Sequence, residues 1–112
     1  MKHYLITDHN RDGDHEYYDH VPVKSSQPQD KWHENWQNFY LCWQYGTGWI
    51  DPTTGDFWSD DRIVSVHHVK EITEEEYNVF IKITDAVIGF DFDEDIMQEG
   101  KEKWEGLTQP NT

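Results

Sequence analysis

The chain has 112 residues, with 23 Asp and Glu against 9 Lys and Arg, a formal net charge of −14 and a mean hydropathy of −0.98. That length fits one compact domain over 1–108 followed by a frayed tail at 109–112, and the charge argues against direct contact with nucleic acid or an anionic membrane. Six Trp, six Tyr and five Phe offer the core area that the few aliphatic residues do not, so the chain is expected to fold.

Cys42 is the single cysteine, which excludes an intramolecular disulfide and fits a reducing, cytoplasmic setting. The start, MKHYLITDH, turns charged before an apolar leader could form, and no window approaches the roughly 20 apolar residues of a membrane span.

KHYLIT and EYYDHVPV are rich in strand-forming residues and lie on either side of Asp12-Gly13, a favoured two-residue hairpin turn. That turn would set Ile6 opposite Asp19 and Tyr4 opposite Val21. Asp19 would then share a face with Tyr4, Ile6, Tyr17, Val21 and Val23. A carboxylate among core side chains requires a partner or a cation, or else a different register.

From Ser26 the period changes. Pro28 and Asp30 suit a first helical turn, and Trp32, Trp36, Phe39, Tyr40 and Trp43 recur as one face of an amphipathic helix closed by Gly46 and Gly48. That aromatic stripe reads as core. The stretch GTGWIDPTTGDFWSDD is turn-rich and predicts a small hairpin or ordered loop. Its Trp49, Phe57 and Trp58 either cap the core or stand exposed as anchors for a partner.

RIVSVHHVKEI, residues 62–72, is the strongest remaining strand, with His67 and His68 expected on opposite faces. Thr73-Glu74-Glu75-Glu76 is a capping box that opens a helix carrying Tyr77, Phe80, Ile81 and Thr84 on one face. DAVIGFDFDED fits a loop, a short strand or the lead into a last helix from about Glu94 to Glu105, which Gly100 weakens. The expected class is α+β: a small antiparallel sheet, built from the amino-terminal hairpin and a central strand at 62–72, packed by two or three helices.

DHNRDGDHEYYD, residues 8 to 19, places Asp8, Asn10, Asp12, Asp14, Glu16 and Asp19 at the first, third, fifth, seventh, ninth and twelfth positions, with Gly13 sixth. The segment resembles an EF-hand loop, and more closely its dockerin form, which has Asp at the twelfth position. The resemblance implies a calcium ion held by Asp8, Asn10, Asp12 and Asp19, with residue 14 giving its backbone carbonyl. It departs from that pattern in His15 at the eighth position and in its strand-like flanks.

No HExxH, P-loop or GxSxG motif is present, and Cys42 sits among Phe39 and Trp43 as a packed thiol, so no enzymatic activity and no resident cofactor are expected. Residues 85–112 hold Asp85, Asp91, Asp93, Glu94, Asp95, Glu99, Glu102 and Glu105 against Lys101 and Lys103. Spaced carboxylates on a folded scaffold can imitate a nucleic-acid backbone, a device of small viral and plasmid-borne inhibitors of host defence. The functional expectation is therefore an acidic interaction module that inhibits a nucleic-acid-binding protein by covering its basic surface. Asp85 to Glu102 are its first candidate surface and Trp49, Phe57 and Trp58 the second. Two other readings are calcium binding by the Asp8–Asp19 loop, and acids that only keep the domain soluble.

Overall fold

The computed structural model describes residues 1–46, 48–84 and 89–108. The expected tail at 109–112 and Asp85 lie outside them. Among the described residues six strands form one sheet in the order β3-β4-β5-β1-β2-β6. They are β1 (Lys2–Asp12), β2 (His15–Ser25), β3 (Trp49–Ile50), β4 (Phe57–Ser59), β5 (Arg62–Ile72) and β6 (Phe90–Asp91). The α+β class stands, with a larger sheet than expected and one that is mixed, because β6 runs parallel to β2 at Val23 and Lys24.

The β1–β2 hairpin turns at Gly13-Asp14, with Asp12 opposite His15, one residue beyond the turn read from sequence. Gly13 has φ +60°, as the first central position of a type II′ turn requires. The consequence reaches every rung: Tyr4 faces Val23, Ile6 faces Val21, and Asp8 rather than Ile6 faces Asp19. Pro22 supplies a physical reason for this register. Asp12 and His15 flank the turn and exchange both backbone bonds, so His15, Tyr17, Asp19 and Val21 bond to β1 while Glu16, Tyr18 and His20 point their amides away. Pro22, which has no N–H, falls among the second set, opposite Leu5. The Asp12-Gly13 turn would have asked Pro22 to donate to β1.

Tyr4, Leu5, Ile6, Thr7 and Asp8 are buried in succession, so both faces of β1 are covered there. Tyr4, Ile6, Val21, Val23, Phe57 and Val64 pack on one face against Tyr40, Leu41, Phe92 and Ile96. On the other face Leu5 and Ile72 meet Tyr77 of α2 (Glu74–Ile83). The capping box of α2 is present as read, with the Thr73 hydroxyl accepting from the Glu76 amide and the Glu76 carboxylate accepting from the Thr73 amide.

The aromatic helix is shorter than its stripe. A 3₁₀ turn at Gln29–Lys31 precedes it, Trp32 is extended, and α1 spans Trp36–Tyr45. Trp32 is nevertheless core: its ring stacks on Phe92 at 3.8 Å and its indole N–H donates to Ser25 Oγ. The last helix begins earlier than expected, with wide π-type turns at Phe92–Gly100 that continue into α3 (Lys101–Thr108). Gly100, which argued against a helix from sequence, is what lets this segment touch α1, since a Cβ there would overlap the Phe39 carbonyl. Among the described residues no helix is long and apolar enough to cross a membrane.

Helix propensity alone says that Gly100→Ala stabilises by about 1 kcal/mol. The contact with Phe39 predicts the opposite sign, a loss of about 2 kcal/mol from overpacking against backbone. Thermal unfolding of the variant decides between them, and an unchanged or raised Tm contradicts this packing.

Candidate functional site

β1 carries one carboxylate into the core on the face of Tyr4 and Ile6, and the corrected register sets it opposite Asp19. Asp8 is 0% exposed, on the β1 face that α1 covers. The hydroxyls of Tyr40 and Tyr45 both donate to its Oδ2 at 2.6 Å. Asp19 lies opposite it on β2, and the Asn10 amide donates to Asp19 Oδ2 at 3.2 Å. Asp8 Oδ1 and Asn10 Oδ1, both buried, accept no hydrogen bond from the described residues. Burial, opposed by the two tyrosines and reinforced by the Asp19 charge, pushes the Asp8 carboxyl up to about 6. The same burial, together with the neighbouring carboxylate, pushes the Tyr40 and Tyr45 hydroxyls well above the usual phenol range. The cluster is a buried carboxyl clamped by two neutral phenols.

Of the five residues in the calcium reading, the structure brings Asp8, Asn10 and Asp19 together. Asp12 and Asp14 lie apart, at the tip of an extended hairpin. At about 3.3 Å per residue, Asp12 is roughly 13 Å along the strand from Asp8, whereas an EF-hand loop folds its ligands around one point. No group of three or more His, Cys, Asp or Glu side chains among the described residues is placed to hold a metal ion.

The hairpin tip has an acidic neighbour. Asp12 pairs with Arg62, next to a second tight turn at Asp60-Asp61 between β4 and β5, where Asp60 takes φ +50°. Asp12, Asp60 and Asp61 converge with Ser59 and Arg62 on a hollow of about 260 Å³, and Asp14 is exposed two residues beyond the β1 end. Both arginines at this end are engaged: Arg11 contacts Asp56 at 3.4 Å, and the Arg62 guanidinium lies over the Tyr45 ring at 5.1 Å.

The acids of the first candidate surface divide differently. Asp91 accepts from the Asp93 and Glu94 amides, Asp95 from the Asp91 amide, and Asp93 from the Ser26 amide and hydroxyl. These three cap and anchor the Phe92–Gly100 segment and are half-buried, while Glu94, Glu99 and Glu102 are exposed. Reversing Asp91, Asp93 and Asp95 would therefore strike the fold as well as the surface. Of the aromatic trio, Phe57 is core, whereas Trp49 and Trp58 face each other across β3 and β4 with 54% and 42% exposure. Trp49 also lines a hollow of about 250 Å³ with Ile50, Pro52, Trp104 and Leu107.

His67 and His68 lie together rather than on opposite faces. A β-bulge opposite Thr7 and Asp8 leaves His67 unpaired. Its ring sits 4.9 Å from His68 and 5.1 Å from Tyr18, which stacks on His9. No sequence signal marked this bulge, nor the role of Tyr40, which the aromatic stripe presented as apolar, nor that of Tyr45, which lies outside the stripe. The doublet Asp60-Asp61 between two strand-like runs was legible as a turn.

No family model, curated protein or solved structure matches the chain.

Because the folded state holds the Asp8 proton more tightly than the unfolded chain does, Asp8's contribution is full below the unfolded value of 3.8 and falls away as pH rises to about 6. The shift corresponds to about 3 kcal/mol. Asp8→Asn keeps an acceptor for both tyrosines and removes the charge. Urea unfolding should therefore show the variant gaining on the native protein between pH 4 and pH 7, and parallel pH–stability curves would contradict the assignment.

Proposed function

We propose that the protein is an acidic interaction module that occupies the basic surface of a nucleic-acid-binding protein, imitating the charge of a nucleic-acid backbone. The observation that carries this reading is the hairpin end. Two adjacent tight turns of one continuous sheet present Asp12, Asp14, Asp60 and Asp61, with both local arginines already engaged. Carboxylates on such a framework lose little freedom on binding, and their field speeds encounter with a basic partner. The exposed Trp49 and Trp58, on the hairpin that ends at the same turn, supply the large apolar side chains that dominate interface energies. The exposed Glu94, Glu99 and Glu102 remain a second acidic surface.

Capture from the native host on immobilised protein tests this reading. Retained proteins should be basic and nucleic-acid-binding, released by duplex DNA and by raising salt from about 50 to 500 mM, where screening shortens to a few Å. Replacing Asp12, Asp14, Asp60 and Asp61 together with Asn should abolish retention while leaving thermal unfolding close to native. Equal capture by the neutralised protein, or release that ignores both salt and DNA, refutes the reading.

A further inference from the structure

Among the described residues, no strand pairs with the outer edge of β2 from His15 to His20. β2 pairs with β1 along its whole length, yet among the described residues β6, its other partner, meets it only at Val23 and Lys24. Every residue from His15 to His20 is exposed, including Tyr17 at 39% and Tyr18 at 47%. The hairpin register sorts these residues. Those at odd positions spend their amides on β1, so Glu16, Tyr18 and His20 turn three N–H and three C=O groups outward. An edge of this length is a template for one more strand unless something blunts it. Pro22 marks its inner limit, the next outward position, which has no donor.

We infer that this edge is a docking site for an extended segment of a basic partner, which adds to the sheet as a strand beside β2. Charge selects the occupant. Residues 14–22 hold Asp14, Glu16 and Asp19 and no Lys or Arg, and Arg11, opposite Glu16, is drawn to Asp56. A second copy would bring like-charged edges together at −14 per chain. A strand bearing Lys or Arg at alternate positions meets the acids while its backbone completes the ladder. Tyr18 and Tyr17, on opposite faces of β2, flank the incoming strand above and below. The inference rests on the acidic-module reading and specifies how such a partner binds.

The probe is an octapeptide of alternating lysine and valine. Its control has the same charge, with two valines replaced by proline so that it cannot pair. Titrated at low salt against the intact chain, the first should bind at least tenfold more tightly than the control. Its binding should slow amide exchange at Glu16, Tyr18 and His20. Tyr18→Pro, which removes one outward donor and no bond to β1, should weaken the first peptide at least tenfold and leave the control unchanged. If that variant does not fold, amide protection in the native protein still decides. Equal binding of the two peptides overturns strand addition and leaves the acidic-module reading standing. Failure of both peptides to bind overturns both. A dimer in sedimentation whose edge amides are already protected assigns the edge to a second copy and also overturns the inference.

Discussion

The register of the β1–β2 hairpin is the constraint on which the rest of the molecule depends. It follows from a glycine able to adopt φ +60° at the turn and a proline unable to donate seven residues past His15. Moving the turn by one residue shifts the pairing by two, which leaves the same side chains sharing a face but changes which residues meet and which amides of β2 bond to β1, so Gly13 and Pro22 fix the rungs of the hairpin. With that register Tyr4, Ile6, Val21 and Val23 lie under the helices, and β5 builds on the opposite edge of β1 to make the framework on which Asp12 and Arg62 bring two turns together.

The same register accounts for the least favourable feature of the core. A carboxylate opposite a second carboxylate, with one oxygen unpartnered, is a poor choice for stability alone, and an amide of the same shape would fill the site. Tyr40 and Tyr45 offset part of that cost, since hydrogen bonds to a charged acceptor are stronger than neutral ones. They also tie α1 to the centre of the sheet, beside the hairpin end that carries the exposed acids. Arg62 over the Tyr45 ring links the buried cluster to that end through a single side chain.

The sequence made the elements with strong local signals readable: the long strands, the Thr73 capping box and the core role of Trp32, Trp36, Phe39 and Tyr40. It was misleading where packing outweighs local preference. Gly100 argued against a helix on propensity, yet the absent side chain admits the Phe39 carbonyl. The EF-hand rhythm from Asp8 to Asp19 is a property of spacing, and an extended ladder separates residues that a loop would gather. The acids after Phe90 looked like one surface because charge was counted along the chain. Three of them face backbone amides instead. Pro22 is the signal that the sequence does hold, because its missing donor bears on the register.

Amide hydrogen exchange along β2 of the isolated protein reads the hairpin register residue by residue. The exchange should alternate, with Tyr17, Asp19 and Val21 protected by β1 while Glu16, Tyr18 and His20 exchange at rates near those of free peptide. The opposite alternation would mean that the hairpin turns at Asp12-Gly13. Uniform protection would mean that the edge is already occupied.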